Sequence, residues 1–260
     1  MSSSAAVAIA PSANLSRQQM ERRFYLLAGC ALLVFVALGF NQFYLHGRGV
    51  GGKSVTEQIA PLVFLHGIGM STWILFFITQ SSLIVSGNRK LHISLGVGGA
   101  VLAAFLVVVG LLTAAGSVHY NPQAFKFFGG AHHFLIIPTT DIVGFGVLVG
   151  IGFRNRRRPE IHRPAMCLAT VFVMTAALFR IPFIRGQIAG HMYGSSFVIF
   201  APWIPMLTLG LLLGLAKWLV TRTWDRYYAV GWAGIACVCV LQAFVVNTVA
   251  WNHIAGWVTS

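Results

Sequence analysis

The fold of this chain is decided by residues 91–115, which read LHISLGVGGAVLAAFLVVVGLLTAA. This stretch contains no Asp, Glu, Lys or Arg. It is longer than the about 20 apolar residues that an α-helix needs to cross a hydrocarbon core of ~30 Å. The stretch therefore predicts a transmembrane helix.

Six similar apolar runs flank this stretch in the chain. Together they predict seven spans, which we number in chain order: 24–45, 60–85, 91–115, 131–153, 164–185, 196–219 and 227–250. The alternation of apolar and polar residues that marks membrane β-strands is absent. We therefore expect an all-α, polytopic transmembrane bundle of seven helices. Residues 1–20 are rich in Ser and Ala and predict a disordered cytoplasmic tail, which leaves 21–260 as a single transmembrane domain.

The composition excludes a soluble globular domain and a disordered chain. Hydrophobic residues make up 57% of the sequence and charged residues 9%, whereas soluble domains carry roughly 25% charged residues. The formal net charge is +13. In a membrane protein an excess of basic residues sets the topology and does not indicate a nucleic-acid partner. We expect the lipid bilayer as the partner and no nucleic acid, and homo-oligomer formation is left open.

The basic residues lie mostly on one side of the predicted bundle. They concentrate in the N-terminal segment and in the loops after spans 2, 4 and 6, for example at Arg89, Lys90 and 154–158. The positive-inside rule then places the N-terminus in the cytoplasm and the C-terminus outside. The localisation that we expect is a bacterial inner membrane.

The positions of five histidines suggest an internal repeat. His66 lies early in span 2, and His92 lies at the start of span 3. His132 and His133 open span 4, and His162 lies at the start of span 5. Spans 2–3 and 4–5 thus predict two copies of one hairpin. In a bundle, His66 shares an outer depth with His132 or His133, and His92 shares an inner depth with His162.

Paired imidazoles of this kind suit a metal-centred cofactor. Two histidines at one level on facing helices can ligate a haem iron from both sides. The alternative is that they are ordinary polar residues near a membrane boundary. The remaining histidines are expected to be solvated, with a copper or zinc site on the outer face as the alternative: His46, His119, His191 and His253.

Asp141 is the only acidic residue deep within a predicted span. An intramembrane acid predicts a functional site with a partner. Arg180 is the partner that we expect, because both residues fall in the outer half of adjacent antiparallel spans. In this interpretation the two form a structural ion pair, and the alternative is that Arg180 or Arg185 holds a haem propionate.

The four histidine positions on spans 2 to 5 resemble the cytochrome b-five-sixty-one superfamily of di-haem transmembrane electron carriers. The resemblance covers about 60–185. It implies one haem b iron held by His66 with His132 or His133, and a second held by His92 with His162. The stretches from Phe64 to Gly96 and from Pro159 to Arg163 are also similar to small bacterial multi-span membrane proteins of unknown function, which imply no activity.

These patterns lead to two functional hypotheses. The first is an integral membrane b-type haem electron-transfer protein, a transmembrane oxidoreductase whose electron donor and acceptor are unknown. The second is a non-enzymatic membrane assembly, scaffold or transport protein. Motifs for hydrolases, zinc proteases and nucleotide binding are absent, so no catalytic residue is predicted.

The topology can be tested with reporter fusions. A reporter after Ser260 and a reporter inserted in 154–158 are expected to lie in opposite compartments, because spans 5 to 7 separate the two positions. Activity of a periplasmic reporter at Ser260 and of a cytoplasmic reporter in 154–158 would agree with this. A cytoplasmic signal at Ser260 would contradict the topology.

Overall fold

A computed structural model describes residues 13–49, 54–192 and 198–259. In these ranges the chain is helical and has no β-strand. Seven helical segments are long and apolar enough to cross a membrane. The predicted fold class, an all-α bundle with seven spans, is confirmed.

Eleven α-helices make up the described parts of the chain. They are α1 (Ala13–Gly39), α2 (Asn41–His46), α3 (Ala60–Val85), α4 (Arg89–Tyr120), α5 (Ala131–Arg154), α6 (Pro159–Phe172), α7 (Thr175–Arg180), α8 (Pro182–Met192), α9 (Trp203–Thr221), α10 (Arg226–Val245) and α11 (Val249–Thr259). Short 3-10 helices lie before α3, before α5 and before α9.

Span 5 is interrupted, which the hydropathy pattern did not indicate. α6 ends at Phe172, where the hydroxyl of Thr175 donates a hydrogen bond to the Phe172 carbonyl at 3.0 Å. α7 ends at Arg180, and the next residue, Ile181, has an extended backbone and precedes Pro182. Proline disfavours the helical conformation of the residue before it. Local side-chain and proline chemistry therefore divides the predicted span 164–185 into α6, α7 and the start of α8.

Both chain ends differ in detail from the predictions. Of the predicted tail, residues 1–12 lie outside the described residues, and the chain is helical from Ala13 onward. Predicted span 7 divides between α10 and a further short helix, α11. The Thr248 hydroxyl accepts a hydrogen bond from Trp251 N at 3.2 Å and so caps the start of α11.

Helices α3 to α6 pack consecutively, α3 on α4, α4 on α5 and α5 on α6. α1 packs on α3, α7 and α9, and α10 packs on α5, α6 and α9. Within the bundle, Trp73 of α3 stacks edge-on against Phe145 of α5 and donates a hydrogen bond to Thr170 of α6 at 3.2 Å. α6 is the most buried of the spans and forms the centre of the bundle.

The two predicted hairpins are both present. A tight turn joins α3 to α4, with Gly87 in the left-handed region at φ 81°. Asn88 follows it and caps α4, because its side-chain oxygen accepts from Leu91 N at 3.2 Å. The second turn joins α5 to α6 through 155–158 and carries arginines. We call the end of the bundle that holds both turns the basic end.

Close packing of α5 on α6 depends on Gly144. A methyl group at this position would overlap the Phe172 ring of α6, whereas a methyl group at Gly150 on the same helix would meet nothing. Gly144→Ala is therefore expected to destabilise the protein by about 1–3 kcal/mol through overpacking. Gly150→Ala is expected to be neutral or stabilising by up to about 1 kcal/mol, because alanine favours helix.

Thermal unfolding in detergent measures both variants side by side. A lower Tm for Gly144→Ala than for Gly150→Ala is the expected order. Equal values would show that α5 and α6 do not approach as closely as described.

Candidate functional site

The two inner histidines lie together at the basic end. His92, in the first turn of α4, and His162, in the first turn of α6, have ring centroids 6.3 Å apart with an interplanar angle of 86°. Both side chains are half-buried. The depth pairing predicted for His92 and His162 thus brings the two rings together in the structure.

Each of these rings also contacts the helix that precedes it in its hairpin. His92 Nδ1 lies 3.3 Å from the Gln80 carbonyl, and His162 Nδ1 lies 2.9 Å from the Gly152 carbonyl. A carbonyl oxygen only accepts, so these hydrogen bonds need a proton on Nδ1. In a neutral imidazole the lone pair is then on Nε2, which is the arrangement of many metal-ligating histidines.

The Gln80 side chain gives His92 a second partner. Turned so that its amide nitrogen faces the ring, Gln80 places that nitrogen 2.6 Å from His92 Nδ1 and accepts from Gly96 N at 3.2 Å. In that arrangement His92 Nδ1 accepts and Nε2 carries the proton. The orientation of the Gln80 amide therefore matches one of the two tautomers of His92. Only the tautomer with the proton on Nδ1 leaves Nε2 free to ligate a metal.

The chemistry of this donor set suits one metal-centred group. Two imidazoles that ligate the same ion from opposite sides, through bonds of about 2 Å, have ring centres roughly 6 Å apart. Arg89 lies beside His92, and Arg163 lies beside His162. His92 and His162, whose ring centroids lie 6.3 Å apart, could therefore hold one metal ion between them, with Arg89 and Arg163 next to the pair.

The outer histidines are not brought together in the same way. In the described parts of the chain no ring contact joins His66 to His132 or His133. His66 faces Arg180, and its buried Nδ1 has no hydrogen-bond partner. His133 Nε2 lies 3.3 Å from the side-chain oxygen of Asn247.

His132 belongs to a separate environment at the start of α5. With His133 and Asn252 it lines a shallow cavity of about 310 Å³, and its carbonyl accepts from Trp251 Nε1 at 3.0 Å. Within the described ranges no group of three or more His, Cys, Asp or Glu side chains that could hold a metal ion occurs, and His92 and His162 form a group of two.

The predicted ion pair between Asp141 and Arg180 is wrong. Asp141 Oδ1 accepts from Trp203 Nε1 of α9 at 2.9 Å. Arg180 donates to the Ala176 carbonyl at 2.9 Å, and its guanidinium lies 4.6 Å above the Phe40 ring. The interruption after Phe172 changes the course of the chain, so α7 turns Arg180 toward α1. Arg185 is half-buried on α8, and its predicted contact with a propionate stays a prediction.

Four charged residues form a cluster beside the histidine pair. Glu21 of α1 contacts Arg163 Nη1 at 2.7 Å and Lys217 Nζ at 2.9 Å. Lys217 is buried on α9, also pairs with Asp225, and donates to the Tyr25 hydroxyl at 2.7 Å. We call Glu21, Arg163, Lys217 and Asp225 the basic-end charge cluster. It joins α1, α6, α9 and the turn before α10.

The sequence pattern did not indicate this cluster, because charged residues near the ends of the spans were interpreted only as signals of membrane orientation. The signal was the scarcity of acids, since the whole chain has only five Asp and Glu residues. In such a chain each acid near a helix end is a candidate partner for a buried base. Asp225 also caps α10 by accepting from Tyr228 N at 3.0 Å.

Comparisons of the chain with protein-family models, curated proteins and solved structures find no match. The function is therefore argued from the geometry of the side chains.

The basic-end charge cluster predicts a large stability effect at Lys217. Lys217→Met is expected to destabilise the protein by about 3 kcal/mol, because it leaves Glu21 and Asp225 without their shared cation. The exposed pair of Arg158 and Glu160, 3.3 Å apart, provides the control. Arg158→Gln is expected to change stability by less than about 1 kcal/mol.

Thermal unfolding of the two variants in detergent checks the difference. If Lys217→Met unfolds at the wild-type temperature, the cluster does not hold the basic end together.

Proposed function

We propose that this protein is an integral membrane electron carrier that binds one b-type haem between His92 and His162. The observation that supports the proposal is the 6.3 Å separation of the two rings at the basic end. The hydrogen bond from His162 Nδ1 to the Gly152 carbonyl adds to it, because it holds this ring by the nitrogen that would not ligate iron. A second haem at His66 has no comparable support.

Each residue around the pair has a defined task in this proposal. His92 and His162 would supply two imidazole nitrogens to the haem iron, while contacts with Gln80 and with the Gly152 carbonyl would fix the orientation of the rings. Arg163 is already paired with Glu21, so Arg89 is the arginine that we expect to hold a propionate. A bound haem supplies one-electron redox chemistry, and the chain contributes binding, orientation and an apolar surrounding.

We propose further that the basic end faces the cytoplasm of a bacterial cell, as the distribution of Arg and Lys suggests. His92 is only partly covered by protein, so a redox partner on that side of the membrane could approach the site.

The decisive measurement is the visible spectrum of protein expressed with ample haem. Wild-type protein is expected to bind one haem equivalent and to show the reduced-minus-oxidised spectrum of six-coordinate, low-spin iron. His92→Ala and His162→Ala are each expected to lose that spectrum, because six-coordinate iron needs both axial ligands.

Histidines outside the pair provide matched controls. His119→Ala and His191→Ala are expected to keep the haem, and so is His133→Ala at the opposite end. Loss of haem in His133→Ala would place the site at the outer histidines. Colourless wild-type protein would reject the proposal and favour the assembly, scaffold or transport function.

A further inference from the structure

Asp141 lies at the centre of the apolar bundle. It is about 15 Å along α5 from Ala131, given a rise of 1.5 Å per residue. Its side chain is buried, with 7% of the residue exposed. Helices α7, α9 and α10 bring Thr175, Trp203 and Cys239 to it. This position is remote from both the histidine pair and the basic-end charge cluster.

No cation neutralises the Asp141 carboxyl. Within the described residues, four ion pairs have nitrogen and oxygen within 4.0 Å, and Asp141 belongs to none of them. Arg180 is directed toward Phe40. The titratable group that faces Asp141 from α10 is the Cys239 thiol. On α6 the corresponding group, Cys167, faces the basic-end charge cluster.

The hydrogen bonds around Asp141 suit a neutral carboxyl. Trp203 Nε1 donates to Oδ1. The Thr175 hydroxyl donates its hydrogen to the Phe172 carbonyl, so its oxygen has lone pairs available to accept a proton from the carboxyl. Thr140, the residue before Asp141, has a buried hydroxyl oxygen without a hydrogen-bond partner. The surroundings thus offer the carboxyl one donor, Trp203, and one acceptor oxygen, that of Thr175, whereas a carboxylate anion needs several donors.

We propose that Asp141, Trp203 and Thr175 form an intramembrane proton-binding site. A charged group in an apolar interior without a counter-charge takes up or loses a proton and becomes neutral. At neutral pH the carboxyl therefore carries one proton on Oδ2, and Oδ1 accepts a hydrogen bond from the indole N–H of Trp203. Raising the pH transfers that proton to hydroxide in the medium and leaves the carboxylate. The proposal does not depend on haem.

The small number of acids makes infrared spectroscopy a direct test. Glu21 and Asp225 are paired with bases in the basic-end charge cluster, and Glu57 and Glu160 are exposed. Purified wild-type protein is expected to show the C=O stretch of one protonated carboxyl. Asp141→Asn is expected to abolish the band, whereas Glu160→Gln, the exposed control, is expected to keep it.

A pH titration and a second variant complete the experiment. The wild-type band is expected to disappear reversibly as the pH is raised. Trp203→Phe removes the hydrogen bond to Oδ1, so the band is expected to shift to higher wavenumber, and this readout remains if Asp141→Asn does not fold. Three results would each overturn the proposal: no band at neutral pH, a band that Asp141→Asn or Trp203→Phe leaves unchanged, or a band that alkaline pH does not remove.

Discussion

A hydrocarbon core offers no hydrogen-bond partner, so each polar group within the bundle must find one inside the chain. Several buried polar groups of this protein meet the constraint through contacts with other helices. Lys217, buried on α9, is surrounded by Glu21, Asp225 and the Tyr25 hydroxyl. Trp73 donates to Thr170 in the middle of the bundle.

The central helix shows how such contacts combine with packing. α6 is surrounded by protein along most of its length. Gly144 lets it approach α5 closely, and Thr170 binds α3 through the indole of Trp73. At its start, His162 and Arg163 contact α5 and α1 respectively. One short helix thereby links three neighbours and carries His162, one member of the histidine pair, in its first turn.

The sequence predicted the features that depend on the depth of a residue along the membrane normal. It did not predict the contacts that depend on the rotation of a helix about its own axis. Seven apolar runs predicted seven spans, and matched positions in two hairpins predicted the approach of His92 and His162. Hydropathy reports where a residue lies along the membrane normal, but it does not report the rotation of a helix about its axis. It therefore paired Asp141 with Arg180, which share a depth, whereas the structure places Trp203 beside Asp141. The interruption after Phe172 depends on a single threonine hydroxyl and was equally invisible to hydropathy.

The contact between the first and the sixth spans has a consequence for biosynthesis. Tyr25 and Lys217 are separated by 192 positions in the chain, so the ribosome completes five spans before the partner of α1 emerges. During that interval Glu21 lacks its contact with the buried Lys217 cation. The contacts of Glu21 and Tyr25 with Lys217 therefore form only after α9 has been inserted. The insertion of α9 thus determines when α1 completes its contacts in the bundle.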